Sequence, residues 1–338
     1  GDQTLLPGPM YQLGGILWGR GDLVGAEHLW KQCLYIAGRI GDERAQGHGY
    51  NGLAILALCR GLSMDARKHF EESAAAFERL GMLGPLVISR VNLVELYLNT
   101  GRLKKAIALA DRTVSQSREV HHQHGVALGL AWRAHALLTI GRPGDALLDA
   151  TEALRLIRKL KAREDEVLAL AVLVRIHFRQ GDHVLARERI EALMPMMDTH
   201  DLEGIAPQVI AWKARAVAAA GDVAAANTLL DSIRKPVGQW PHVSTRANLS
   251  HGRALRILGR HEDARPILQE ALSTAEANGY RYFQLLAHNE LARLHGDENA
   301  RALHQRVAKA TARSLAANLA TDDAKRFLAR GWGSTDPA

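Results

Sequence analysis

The 338-residue sequence has few aromatic residues, few cysteines and no long apolar run. Aromatic residues make up only 5% of the chain, and no stretch shows the strict alternation of a half-buried strand, which argues against a sheet-based fold. The two cysteines, Cys33 and Cys59, cannot build a disulfide framework. Both lie among apolar residues, so we expect them to be small buried side chains in a reducing compartment, the cytoplasm.

No membrane segment or export signal is visible. No apolar run approaches the roughly 18 to 20 residues that span a bilayer, and the N-terminal GDQTLLPGPM lacks a basic region followed by an apolar one. The formal net charge of +7 comes mostly from arginine, and it permits an acidic partner without requiring nucleic acid. The chain starts without Met, and we expect it to be a segment of a larger protein.

What the sequence does contain is a repeat of forty residues. Alanine, leucine, arginine and glutamate dominate it, and these residues favour helix. Six turn glycines recur every forty residues and a seventh comes two residues early: Gly21, Gly61, Gly101, Gly141, Gly181, Gly221 and Gly259. An alanine follows each glycine five residues later: Ala26, Ala66, Ala106, Ala146, Ala186, Ala226 and Ala264.

This pattern predicts a helical hairpin in each repeat. Glycine adopts the left-handed conformation that ends the first helix, and the alanine lets the second helix approach it closely. An eighth, degenerate copy begins at Gly296, and a short helix over 321–330 should follow. Thr321, Asp322 and Asp323 are expected to supply its N-cap, beginning with Thr321, and a favourable first-turn charge. We therefore predict an all-α fold, a right-handed superhelical solenoid of about eight hairpins in a single domain over 1–338.

The repeat resembles the tetratricopeptide repeat (TPR) over about residues 9 to 319. It shares the Gly-Asp turn, the alanine after it, and small residues seven before the glycine, as at Gly14, Ala54, Ala134 and Ala214. It departs from that family in its period of forty, in the missing closing proline, and in Arg133 and Lys213 at normally apolar positions. The long period resembles the arrays of large bacterial regulators, such as MalT-like sensor domains and signalling ATPases and kinases.

Three sequence motifs suggest chemistry that their context argues against. GHGYNG (47–52) matches a dinucleotide-binding fingerprint, but it lies within a predicted helix with no strand before it. We interpret its glycines as sites of close packing against the first repeat. The histidine cluster at His121, His122 and His124 lacks further metal ligands at suitable spacing, and Arg-Gly-Asp at 20–22 is a copy of the hairpin turn.

The signatures of phosphoryl transfer, hydrolysis and metalloproteolysis are absent. We therefore expect neither catalysis nor a cofactor, and look for a binding surface. In TPR folds the first helix of each pair lines the concave face. The position six before each turn glycine is occupied by Gly15, Ile55, Glu95, His135, Arg175, Arg215, Arg253 and Glu290.

Three consecutive repeats thus place arginine at one position. Neighbouring positions add Arg179, Gln208, Arg246 and Arg256 in the C-terminal half, and Tyr11, Trp18, His48, Asn51 and Asn99 in the N-terminal half. Arginine binds carboxylate or phosphate in a bidentate way, although exposed helix faces also carry it routinely. The predicted partner-binding residues are Arg175, Arg179, Arg215, Arg246, Arg253, Arg256, His135, Asn99 and Glu95.

We expect a regulatory binding module of a bacterial signalling protein, with a protein or acidic peptide in the groove and other domains of the parent chain as partners. The MalT-like resemblance implies an alternative, a small-molecule sensor in which Trp132, Trp212 and Trp240 form aromatic platforms. Nucleic-acid binding would require stacking aromatics, and the basic half offers few beyond Phe178 and Phe283. Trp18 either anchors a ligand or packs on a preceding domain.

Overall fold

The computed structural model describes residues 6–197, 205–233, 240–294 and 296–333. Throughout these ranges the regular secondary structure is helical, which confirms the all-α prediction. The first helices of the eight hairpins are α1 (Pro7–Gly19), α3 (Glu43–Cys59), α5 (Leu83–Asn99), α7 (Gln123–Thr139), α9 (Arg163–Gln180), α11 (Ala206–Ala219), α13 (Pro241–Ile257) and α15 (Arg281–Leu291). The second helices are α2 (Leu23–Ile40), α4 (Ser63–Arg79), α6 (Leu103–Glu119), α8 (Pro143–Leu160), α10 (His183–Leu193), α12 (Val223–Asp231), α14 (His261–Ala277) and α16 (Glu298–Ala316).

The final helix, α17, runs over Thr321–Leu328, slightly shorter than predicted. Its first turn carries Asp322 and Asp323, which favour the positive end of the helix dipole. The expected capping role of Thr321 is wrong, because the N-cap residue is Ala320 and no side chain caps the helix. Within the described residues, no helix combines the length and the apolar character needed to cross a membrane.

The hairpin turns follow the glycine register. The seven turn glycines have φ between 74° and 95°, the left-handed region that other residues rarely adopt. The seven alanines that follow them are all fully buried between the paired helices. Five helices have an N-cap aspartate whose carboxylate accepts a backbone N–H of the first turn: α2, α3, α10, α12 and α16.

The glycines of GHGYNG lie in the interior of α3, as a packing role requires. Gly49 faces Leu34 and Gly52 faces the Trp30 indole, both on α2 of the first hairpin, whereas Gly47 faces Phe77 in its own hairpin. Trp30 is buried and donates its Nε1–H to the Tyr11 carbonyl at 3.1 Å. Because a side chain at position 52 would occupy the place of the indole, glycine lets α2 and α3 approach each other.

We therefore expect Gly52→Ala to lower the free energy of unfolding by about 1–3 kcal/mol, the usual cost of overpacking a filled core. Gly15→Ala in α1 is the matched control, because a Cβ there meets no atom within 4 Å. Alanine at position 15 should stabilise the helix by about 0.5–1 kcal/mol. Urea denaturation of both variants measures the difference, and equal stability of the two would contradict the packing role.

The solenoid curls until its early hairpins touch its late ones. The rings of Trp18 in α1 and Trp240 before α13 have centroids 5.4 Å apart. The Ser63 hydroxyl at the start of α4 donates to the Asn278 carbonyl at 2.8 Å. Gly101 lies against Leu315 of α16. The first helices of the hairpins therefore enclose a narrow interior, which positions the candidate site.

Candidate functional site

The first helices of neighbouring hairpins meet side by side along the interior. Arg175 of α9 reaches His135 of α7, and the Gln208 amide of α11 donates to the Ser250 hydroxyl of α13 at 3.3 Å. The repeat register assigned His135, Arg175 and Gln208 to the groove, and Ser250 contacts one of them. We call this surface the interior face.

The interior is closed at one point by an ion pair between hairpins far apart in sequence. Arg246 of α13 binds Glu95 of α5, with Nη2 and Oε1 2.6 Å apart. Burial raises the pKa of Glu95, but Arg246 and His242 lower it by more, so the net pKa lies below its ordinary value. Asn99 lies one turn beyond Glu95, and its buried Nδ2 has no acceptor within the described residues. A hydrogen-bond donor without an acceptor therefore lies beside the Glu95–Arg246 ion pair.

A second carboxylate binds two of the predicted arginines. Glu290 of α15 is 1% exposed, and its two oxygens accept hydrogen bonds from Arg253 Nε at 2.7 Å and Arg256 Nε at 2.9 Å. Burial raises the pKa of Glu290, but Arg253 and Arg256 outweigh it and hold the pKa at about 2. Arg246, Arg253 and Arg256 are thus engaged within the chain.

The other three predicted arginines have no carboxylate within ion-pair distance in the described part of the chain. We call Arg175, Arg179 and Arg215 the arginine cluster. Arg175 Nη1 lies 2.5 Å from His135 Nε2, and Arg215 lies over the Phe178 ring at 4.0 Å from its centroid. Arg179, at the end of α9, is exposed. The arginine cluster therefore offers guanidinium groups without an ion-pair partner among the described residues.

Burial and the charges of other nearby arginines act against the charged state of the arginine cluster. Burial and the charges of Arg253 and Arg256 outweigh the opposing charge of Glu290 and lower the pKa of Arg215 to about 9. Burial likewise lowers the pKa of Arg175 to about 10, and partial desolvation of the guanidinium, together with the charge of Arg330, lowers the pKa of the otherwise exposed Arg179 to about 10. All three remain protonated at neutral pH, at a cost in stability that an anion would offset.

His135 is held neutral in this setting. Burial and the charges of Arg175 and Arg246 lower its pKa well below the ordinary value. Since Arg175 can only donate, Nε2 of His135 accepts and the ring proton lies on Nδ1. His135 thus orients Arg175 without neutralising it.

Two groups missed by the sequence reasoning join the arginine cluster. Arg330, after α17, donates to the Thr139 carbonyl and stacks on Trp332 at 4.3 Å from the ring centroid. Its buried Nε has no acceptor within the described residues. Burial raises the pKa of Tyr282, but Arg330, Arg175 and Arg179 lower it by more, so its pKa falls below the usual value. The lowered pKa of this buried phenol indicates that the surroundings of Tyr282 are strongly positive.

The N-terminal part of the interior face is neutral. Tyr11 and His48 pack with ring centroids 4.7 Å apart, and His48 meets the Phe77 edge at 4.9 Å. Trp18 donates its Nε1–H to Cys59 Sγ at 3.4 Å and packs on Trp240. These contacts lie within this chain, and the two predicted roles of Trp18 stay predictions. Cys33 is buried and Cys59 is half-buried, both as free thiols.

Two of the three tryptophans proposed as aromatic platforms are core residues. Trp132 and Trp212 are 8% and 4% exposed and belong to the main hydrophobic core. Each lies in a first helix, packed by neighbouring hairpins, so neither offers a free ring face. The platform prediction is wrong for both. Trp240 is half-buried, between Trp18 and His242.

The histidine cluster stabilises local structure. His122 accepts the Gly125 backbone N–H at 2.9 Å and caps α7, while His124 Nε2 lies 2.7 Å from an Asp165 oxygen. No group of three or more metal-ligating side chains occurs in the described ranges. Arg133, one of the two residues that depart from the TPR pattern, binds Asp149 through two hydrogen bonds of 2.6 and 2.8 Å.

The sequence matches no family model and no curated protein. Solved structures are similar in fold. Apo RapI superposes with a TM-score of 0.58 at 10% identity, covering 80% of this chain and 98% of RapI. A Rap protein complexed with competence and sporulation factor gives a TM-score of 0.56 at 12% identity, covering 91% of this chain and 75% of that protein. A tetratricopeptide repeat protein from Parabacteroides merdae gives 0.49 at 14% identity over 90% and 98% of the two chains.

The eight stacked hairpins, their left-handed turn glycines and the similarity to the two Rap structures agree. The chain has a TPR-like fold. At such low identities the similarity concerns the fold alone, and the finer resemblance to MalT-like sensors stays a hypothesis. The TPR-like register placed Arg175 and Arg215 on the interior face, and it could also have found Tyr282, eight residues before Glu290 on the same helix. Arg330 lies outside the repeats, so the register carried no signal for it.

Proposed function

We propose that this chain is a binding module that accepts an acidic segment of a protein or peptide at the arginine cluster, as the regulatory part of a larger signalling protein. The observation that carries the proposal is the absence of any carboxylate partner for Arg175, Arg179 and Arg215 in the described part of the chain. Partly desolvated cations are normally paired, so half-buried Arg175 and Arg215 without an ion-pair partner favour an anionic ligand, and exposed Arg179 gives that ligand access from solvent.

The chemistry of the arginine cluster suits carboxylates. A guanidinium group presents its N–H donors in a planar fork that matches a carboxylate, and a partly desolvated site strengthens such hydrogen bonds. The phenol of Tyr282 and the free Nε of Arg330 add donors at the same place. An acidic segment could therefore bind several donors at once.

A macromolecular ligand suits both the surface and the fold. Arg179 is exposed while Arg175 and Arg215 are half-buried, so the arginine cluster leads from solvent into the interior. One of the structures of similar fold is a Rap protein solved with competence and sporulation factor. The small-molecule alternative loses support because Trp132 and Trp212 are buried in the core.

Fluorescein-labelled hexaglutamate is a direct probe of this proposal. In a fluorescence-anisotropy titration we expect saturable binding, and at least about tenfold weaker binding by Arg179→Gln and by Arg215→Met, because a charged hydrogen bond is worth about 1.5–3 kcal/mol. Arg313→Gln is the matched control, since Arg313 is exposed on α16. Its affinity for hexaglutamate should equal that of the native protein.

Two competitors separate the alternatives. An unlabelled glycine-serine hexapeptide should not displace hexaglutamate. A single-stranded oligonucleotide should displace it less effectively than unlabelled hexaglutamate does, because few free aromatic faces line the basic half. Equal loss of affinity in the Arg313→Gln control, or stronger competition by the oligonucleotide, would overturn the assignment of an acidic peptide to the arginine cluster.

A further inference from the structure

A second basic site lies at the seam where early and late hairpins meet. A cavity of about 850 Å³ separates the turns of the second and third hairpins from the turn between α14 and α15 and the end of α16. We call it the seam cavity. The Ser63–Asn278 hydrogen bond and the Gly101–Leu315 contact lie along its walls. It is therefore built by parts of the chain more than 200 residues apart.

The charges that line the seam cavity are mostly positive. Its charged residues are Asp65, Arg67, Arg102, Lys104, Lys105 and Arg281. Arg67 pairs with Glu71 at 3.1 Å, and Arg281 donates to the Ser314 hydroxyl at 3.0 Å. Arg102 and Lys104 have no carboxylate within ion-pair distance in the described ranges, and the buried Nε of Arg67 has no acceptor there. Donors on both walls are thus available to an anion.

The local electrostatics around α6 are unfavourable without a ligand. Its first turn contains Lys104 and Lys105 after Arg102 at the N-cap, with no acidic residue and no capping side chain. Cations at the positive end of a helix dipole destabilise it. On the opposite wall, α15 likewise begins with a cation, Arg281, and its first turn has no acidic residue and no side-chain cap. The three cations at the start of α6, which face Arg281 across the cavity, form a positive surface that an anionic ligand would stabilise.

We propose that the seam cavity binds a small molecule that carries two or more phosphates. A single carboxylate would satisfy few of the donors, whereas a polyphosphate chain places oxygens against both walls at once. The volume also exceeds what a lone phosphate needs. A ligand that spans the walls ties the second and third hairpins to the late ones, so its binding favours the closed solenoid.

Inorganic tripolyphosphate and ATP are the probes, titrated into the full chain by isothermal titration calorimetry. Binding of both identifies the phosphate chain as the recognised group, and binding of ATP alone identifies a nucleotide; either outcome supports the site. We expect Arg102→Gln combined with Lys104→Gln to weaken binding at least tenfold. The matched control combines Lys159→Gln with Arg163→Gln, two exposed cations at the junction of α8 and α9.

Two further results test the location. Arg281→Gln, on the opposite wall, should also weaken binding at least threefold; an unchanged affinity would overturn the bridging of the seam. Hexaglutamate should not compete with tripolyphosphate, so the test of the seam cavity is independent of the test of the arginine cluster. Absence of binding by both probes at millimolar concentration, or equal losses in the two double variants, would overturn the proposal. Circular dichroism confirms that each variant is folded.

Discussion

Replacing Glu290 by glutamine is expected to lower the free energy of unfolding by about 3–5 kcal/mol, the cost of breaking a buried ion pair from one side. Glu290 is 1% exposed and binds both Arg253 and Arg256. Glutamine keeps the shape but removes the charge and turns one acceptor into a donor. Two guanidinium groups then share the interior without a counter-ion, beside Arg215, whose pKa they already help to lower.

Glu152→Gln is the matched control for this experiment. Glu152 also pairs with an arginine, Arg155, but on the exposed surface of α8. Exposed pairs contribute about 0–1 kcal/mol, so the control should unfold at nearly the native urea concentration. If the two variants are equally stable, Glu290 does not hold the interior charges together.

The Glu290 carboxylate should also make the free energy of unfolding depend on pH. Its pKa is about 2 in the folded protein and 4.5 in the unfolded chain, so the folded state binds the proton less readily. The stabilisation, worth about 3 kcal/mol, is therefore fully present above pH 4.5 and is lost as the pH falls toward 2. Urea denaturation between these pH values should show a smaller loss of stability in Glu290→Gln than in the native protein.

Replacing Arg215 by methionine should have the opposite effect on stability. Burial and nearby arginines lower the Arg215 pKa to about 9, so its charge is costly to hold in the folded state. Methionine keeps an apolar contact with the Phe178 ring, which Arg215 covers at 4.0 Å. We expect the free energy of unfolding to rise by about 1–2 kcal/mol, as when other buried charges are replaced by apolar residues.

The control for this gain is Arg313→Met on the exposed surface of α16, where the change should stay within about 0.5 kcal/mol. A rise in stability at position 215 alone would indicate that the arginine is retained for binding at the expense of stability. A fall at position 215 would instead make Arg215 a structural residue.

Local rules predicted the hairpins well. The forty-residue register identified glycines that adopt left-handed φ and alanines that are fully buried, because both depend on neighbouring residues within one hairpin. It also identified the packing role of Gly49 and Gly52 in α3.

Contacts between distant hairpins could not be predicted. They depend on the curvature of the solenoid, which accumulates from small rotations between repeats. The Glu95–Arg246 ion pair joins residues 151 positions apart. The same closure creates the seam cavity. Sequence placed both Arg253 and Glu290 at groove positions but carried no signal that they would bind each other.

The most direct test of the account measures stability and binding on one variant, Arg215→Met. Thermal unfolding without ligand and hexaglutamate anisotropy are recorded for this variant, the native protein and Arg313→Met. We expect a higher midpoint of unfolding together with at least about tenfold weaker binding in Arg215→Met alone. A lower midpoint with unchanged hexaglutamate affinity would contradict it and make the arginine cluster part of the scaffold.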